Sequence, residues 1–414
     1  MLKHIVPSQL RLGMYIHALD GSWLSHGFWK SSFRLKTTAD LQRLQASGIA
    51  GLWIDLARGL DVQPAAAPAQ PIATPAAPPA PVDAPSLWQE QIEQARQQCK
   101  QAQSAVMQMF HEARMGHAIE PEQAEALAEQ IQQSVERHPA ALLSVVRLKN
   151  ADTYTYMHSV AVSALMVALA RQLGLSTHQV KRAALAGLLH DMGKVYTNPD
   201  ILNKPGALMD EEFAHMKLHP GQGHALLQQS ITDAEVLDAC LHHHERLDGK
   251  GYPHGLRGAE IHLMARMTAI CDVYDAITSN RPYKSGWSPA IALQRMAQWC
   301  GTHLDTHIFS AFVKTLGVYP VGSLLRLQSG RLALVFALSE NKLLTPQVVC
   351  FYDTYEARRI DPPVLLDLSA APDEHILLRE DPENWNFSDL DDLWQAAITA
   401  TTPAPCPPAA ALAG

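Results

Sequence analysis

Apolar and polar residues alternate over positions 1–60 at strand spacing, around Gly13-Met14-Tyr15-Ile16 and Asp20-Gly21-Ser22-Trp23 and again at Gly51-Leu52-Trp53-Ile54-Asp55. Thr38 to Ala46 has helical spacing instead. That mixture predicts a small α+β module, with Trp23, Phe28, Trp29 and Phe33 in its core rather than in a ligand box. From about Asp61 to Pro85 the pattern vanishes, because nearly every residue is Ala, Pro, Val, Gln or Thr, a composition that favours extended chain and buries no core. This stretch is a linker. Leu87 to about Met115 carries apolar residues at helical spacing, a second helix starts after Pro121, and helix follows helix to about Gly317, broken at Gly174, Gly193, Pro205 and Pro220. Two strands are expected next, Ser323 to Gln328 and Leu332 to Leu338, turned by Ser329-Gly330. The tail beyond about Ala400 reads as disordered.

Composition narrows the function classes. With 414 residues, 47% of them hydrophobic, the chain is long enough for two or three cored domains. A net charge of −8 sets up no field that would draw in DNA or anionic lipid, so an anionic substrate must be held by local charge such as bound metal. The six cysteines lack paired spacing, as in a reducing compartment. The N-terminus has no apolar leader segment, and no stretch approaches the roughly 20 apolar residues that span a bilayer. A cytoplasmic protein without membrane insertion is the expectation.

Candidate chemistry lies in the helical block. His190-Asp191 closes the apolar run Ala183 to Leu189, with the helix-stop signal Gly193 two residues on. Taken alone, such a pair is more often a cap or a surface pair. His242-His243-His244 is a stronger signal, since histidine is uncommon and three in a row have little structural use. With Asp272 downstream, these residue types suit a cluster of divalent transition ions: imidazole fits iron, manganese or zinc, and a carboxylate can bridge two ions. Hydrolysis of a phosphate ester is the chemistry such a cluster serves.

The segment Glu245-Arg246-Leu247-Asp248-Gly249-Lys250-Gly251-Tyr252-Pro253 after the histidines resembles the signature of HD-GYP domains, bacterial cyclic di-GMP phosphodiesterases within the HD superfamily. Tyr156-Met157-His158-Ser159, His190-Asp191-Met192-Gly193-Lys194, His219-Pro220-Gly221, and Asp272-Val273-Tyr274-Asp275-Ala276 followed by Arg281-Pro282-Tyr283-Lys284 are similar to the other family motifs in order and spacing. The resemblance covers about residues 145 to 315. Residues 1–60 also look like the accessory domain often found ahead of HD-GYP domains.

The resemblance implies a mainly α fold, an HD-superfamily helical bundle with a small N-terminal α+β module and a short C-terminal β segment. The implied divisions are an accessory domain (1–60), linker (61–86), helical connector (87–144), catalytic domain (145–316), β extension (317–370) and C-terminal segment (371–414). Metal ligands carried over by position are His158, His190, Asp191, His219, His243, His244 and Asp272, with Asp191 bridging two divalent ions. With no cysteine in that set, iron or manganese is favoured. The implied reaction is attack of a metal-activated hydroxide on cyclic di-GMP, giving linear pGpG and then GMP if cleavage goes on. Lys194 would neutralise the phosphate, and Gly251, Tyr252, Arg281 and Lys284 would hold substrate. Asp275 would orient a ligand histidine or Lys194, while His215 and His242 are read as structural or supporting. Members with three metals carry a glutamate one helical turn before the first ligand histidine. Here that position is Tyr154, a poor ligand for a hard ion, so two metals are expected, with Tyr154 beside the site. Two other readings stay open: a phosphohydrolase for another nucleotide, and a receptor that binds nucleotide or a diguanylate cyclase. A homodimer is also left open.

Overall fold

The computed structural model describes residues 2–11, 13–19, 33–35, 41, 44, 51–55, 58–60, 84–147, 154–202, 204–279, 286–339, 342–385, 387 and 389–399. Four short strands come first: β1 (Leu2–Ile5), β2 (Tyr15–Leu19), β3 (Phe33–Arg34) and β4 (Leu52–Asp55). They form an antiparallel sheet in the order β1-β4-β2-β3. Its core is aliphatic, built from Ile5, Leu10, Met14, Ile16, Leu35, Leu44, Leu52 and Ile54. Trp23, Phe28 and Trp29, expected in that core, lie outside the described residues, as do the Asp20 to Trp23 pattern, most of Thr38 to Ala46, the Ala/Pro segment up to residue 83 and the tail from residue 400.

The helical block starts with α1 (Ala84–Arg114), α2 (Pro121–Arg137) and α3 (Pro139–Arg147). Next come α4 (Tyr154–Gln172) and α5 (Thr177–Leu189), then a 3-10 turn at Met192–Tyr196. Helix α4 is buried nearly all round: residues 157–170 are all buried, and its polar members include His158, Ser159 and Ser163. A helix apolar on every face belongs at the centre of a bundle. Helix α5 starts on a Ser176 side chain that accepts the Gln179 backbone N–H, while Gln179 answers back to the Ser176 N–H, so two orphan donors at the helix start are satisfied reciprocally. Gly187 brings α5 against α4, since a Cβ there would sit 2.8 Å from Ser163 Cα.

Two small helices, α6 (Pro199–Leu202) and α7 (Asp210–Met216), lead to α8 (His219–Leu227) and α9 (Ala234–His242), capped by Asp233 through the Glu235 and Val236 N–H groups. Pro220, expected as a break, sits in the first turn of α8, where a missing N–H costs nothing. Gly193 also differs from expectation. It lies inside the 3-10 turn, and a Cβ there would stand 1.9 Å from His219 O, so its role is close approach to α8 and not a simple helix stop. The block ends with α10 (Leu263–Thr278), α11 (Pro289–Trp299) and α12 (Thr306–Leu316).

Five antiparallel strands follow where two were expected: β5 (Leu324–Leu327), β6 (Arg331–Ser339), β7 (Lys342–Asp353), β8 (Arg358–Asp367) and β9 (Ile376–Arg379), in the order β8-β7-β6-β5-β9. Gly330, at φ 79°, turns β5 into β6. Strand β8, within the expected β extension but with no strand assigned to it from the sequence, contains Pro362 and Pro363. It is an edge strand, and an edge tolerates residues that cannot donate to a ladder. Strand β9 lies beyond the residues expected for the β extension, as does α13 (Leu390–Thr399). Trp394 of α13 is fully buried and donates its indole N–H to Phe336 O at 3.0 Å. One hydrophobic core runs from Ile92 of α1 through α2 to α5 and α8 to α12 to Trp394.

Candidate metal centre

Five imidazoles and two carboxylates converge from separate elements. His158 comes from the buried α4, His190 and Asp191 from the end of α5, His219 from the start of α8, His243 and His244 from just past α9, and Asp272 from the middle of α10. All are buried except His244, which is partly exposed. Within this convergence, His158, His190 and Asp272 bring ligand atoms within 4.8 Å of one another, and so do His219, His243 and His244.

Asp191 sits between the two sets. Its Oδ2 is 3.5 Å from His158 Nε2 and 3.4 Å from His190 Nε2, whereas Oδ1 is 3.3 Å from His219 Nε2 and 3.9 Å from His243 Nε2. One carboxylate thus faces both sets, one oxygen each.

Backbone oxygens fix the imidazole tautomers. His190 Nδ1 lies 2.8 Å from Gly187 O, His219 Nδ1 2.8 Å from Met216 O and His243 Nδ1 2.8 Å from Cys240 O. A carbonyl only accepts, so each Nδ1 carries the proton and each neutral ring turns an Nε2 lone pair inward. His158 does the same through Asp275, whose Oδ2 is 2.6 Å from Nδ1. As a result the lone pairs of His219 and His243 Nε2 face each other at 3.2 Å, and buried His190 Nε2 and Asp191 Oδ1 have no hydrogen-bond partner. Lone pairs held together without protons are what a cation requires, so these donors fit a metal cluster.

The electrostatics agree. Burial would push Asp191 up, but the Lys194 ammonium, 2.5 Å from Oδ2, together with His190 and His219 holds its carboxyl well below the usual range. Asp272 is likewise held down, against burial, chiefly by the adjacent His158 ring, whose Nε2 lies 3.0 Å from its Oδ1. Burial lowers His190 and His243, and it brings His244 to about 3. His158 moves the other way: hydrogen bonds to Asp272 and Asp275 outweigh burial and raise it. His190, His243 and His244 thus favour the neutral form that binds metal.

The loop after His244 folds tightly onto the cluster. Tyr252 donates its N–H to His244 O, and the two rings lie 4.8 Å apart. A Cβ on Gly251 would come within 2.6 Å of His244 O, so only glycine permits that approach. At the loop's centre is a residue whose role the sequence did not reveal. The Glu245 carboxylate, 2% exposed, accepts the backbone N–H groups of His254, Gly255 and Leu256. A buried acid directly after two ligands was the available signal.

His242 lies beside the cluster and not in it, bonded to Asp238 and His254, and His215 is on the partly exposed α7. Arg281 and Lys284 lie outside the described residues, and the side chain of Tyr154, at the start of α4, is likewise not described.

Comparison with known proteins accords with this geometry. An HD domain profile matches residues 122–308, and a domain of unknown function (DUF3391) matches residues 2–124, a span that runs into α1 and α2. The chain is 50% identical over 405 residues to a cyclic di-GMP phosphodiesterase of Pseudomonas aeruginosa, covering 97% of each chain. It is 39% identical over 168 residues to a 3′3′-cGAMP-specific phosphodiesterase of Vibrio cholerae, 40% of this chain and 39% of that one. It is 38% identical over 175 residues to a cyclic di-GMP phosphodiesterase response regulator of Xanthomonas campestris, 42% of this chain and 46% of that one. With near-full-length identity at that level and the metal-ligand and Gly-Tyr-Pro motifs in one site, the chain belongs to the HD-GYP family of HD-domain proteins, with a DUF3391 domain ahead of the HD domain.

Proposed function

We propose that this chain hydrolyses cyclic di-GMP to linear pGpG with two divalent ions, iron or manganese, held by His158, His190, Asp191, His219, His243, His244 and Asp272. The observation that carries the reading is the Asp191 carboxylate, whose two oxygens face two separate imidazole sets. Bound ions would polarise the phosphate and lower the pKa of bound water.

The chain's own residues do the rest. Asp275 and the carbonyls of Gly187, Met216 and Cys240 orient the imidazoles before any ion arrives. Lys194 stands at the rim of the cluster, its side chain 20% exposed, and with ions held by Asp191 its ammonium would be available to the substrate phosphate. The Tyr252 ring lies 4.8 Å from the His244 ring and covers one side of it. Arg281 and Lys284 complete the proposal as holders of the second phosphate. Metal-loaded protein incubated with cyclic di-GMP, 3′3′-cGAMP and pGpG should convert the first fastest, with pGpG accumulating by chromatography. Preference for 3′3′-cGAMP would move the chain to the specificity named for its Vibrio cholerae relative.

A further inference from the structure

Outside the buried cluster, a second pair of ring nitrogens is arranged for a cation. His242 is the last residue of α9, 9% exposed, and its Nδ1 lies 2.8 Å from Asp238 Oδ1, one helical turn earlier. A carboxylate in that place fixes the proton on Nδ1 and leaves the Nε2 lone pair pointing away from the helix. Opposite it, 2.9 Å away, is Nδ1 of His254, an exposed residue of the Gly-Tyr-Pro loop, and the ring centroids are 5.1 Å apart. Without an ion, His254 donates its Nδ1 proton to His242. Tautomerisation to Nε2–H would turn a second lone pair toward the first. A tetrahedral zinc holds its nitrogens about 3.3 Å apart, from bonds of ~2.0–2.1 Å, so the pair need open by only a few tenths of an ångström, and His254 is free at the surface to do so.

We propose that His242 Nε2 and His254 Nδ1 form a peripheral site for a borderline divalent ion of the zinc type, with Asp238 orienting His242 and water completing the coordination. Two imidazoles backed by a carboxylate favour such an ion over magnesium or calcium, which take oxygen ligands. The site differs from the buried cluster in exchange with solvent: His254 is exposed, so the ion can come and go while the buried ligands keep theirs. It also bridges two elements. An ion here ties the loop that places Tyr252 to the end of the helix that leads into His243 and His244, adding a second clasp to the one Glu245 makes through the loop backbone.

The test is zinc binding by the full chain, with zinc in excess so that the buried cluster is saturated, followed by chelator competition and metal analysis. Wild-type protein should hold one more zinc per chain than His254→Ala, and this additional zinc should be the first released to chelator. His254 is exposed and its backbone N–H is untouched by the substitution, so the variant keeps the fold and the Glu245 bonds. Asp191→Asn separates the two sites: it should lower the buried count and spare the His254-dependent zinc. Identical zinc isotherms for wild type and His254→Ala would overturn the proposal.

Discussion

At the scale of single residues, the site depends on which atoms carry protons. Asp191 faces both imidazole sets, one oxygen each, so Asp191→Asn should remove metal and activity together while the helical fold persists by circular dichroism. Metal content near wild type in that variant would contradict the bridging role. Lys194→Ala should keep metal but lose rate, by about 2–4 kcal/mol of barrier, because it removes charge and no ligand. The histidines make the metal-free protein sensitive to acid. His244 in the folded chain protonates near 3, whereas in an unfolded chain it does so near 6.5, so between those values the unfolded chain binds the extra proton and acidification destabilises the fold. His190 and His243 act in the same direction. His158 opposes them: its contribution is complete below about 6.5 and fades as pH rises through its raised folded value. The net expectation is a melting temperature that falls from pH 6.5 toward pH 4, with a shallower fall in His244→Gln. Parallel slopes would count against it. The His244 ring is 24% exposed, which softens the effect through solvent screening.

At the scale of elements, the ligands converge because helices approach closely. Gly193→Ala would set a Cβ against His219 O and Gly223 N, and overpacking of this kind costs about 1–3 kcal/mol. Since α8 can relieve the clash only by shifting His219, metal affinity should drop beyond what the loss of stability alone explains. Unchanged affinity would show that α8 moves without its ligand. The sequence pointed to the histidines and aspartates that the fold brings together because His and Asp at motif spacing are rare and chemically distinctive, and it disclosed the helices because apolar periodicity over many residues is a strong signal. Other features left no local trace. Glu245 works by folding three later N–H groups around it, a contact made only in space. Strand β8 carries Pro362 and Pro363, residue types depleted in strands and tolerated at an edge, and the four residues of β9 are too few for alternation to register. Trp394 counts as core only because β6 lies beneath it.

At the scale of the molecule, the helices ahead of α4 belong to the same core as the ligand helices, while residues 2–55 have a separate core. Truncation to residue 84 should therefore leave a folded, metal-binding chain, whereas truncation to residue 116, which removes α1, should not. Equal thermal stability of the two truncations would refute the shared core. Trp394→Ala should cost about 3–5 kcal/mol, seen in denaturant unfolding, because it empties the space between α13 and the sheet. Among the described residues no helix is long and apolar enough to cross a membrane. The central claim is that one carboxylate bridges two metals for phosphodiester hydrolysis. It is tested most directly by metal analysis and cyclic di-GMP turnover on the same anaerobically purified samples of wild type and Asp191→Asn. The account predicts close to two metals per chain and linear pGpG from wild type, and neither from the variant; three metals per chain in wild type, or pGpG formed by the variant, would contradict it.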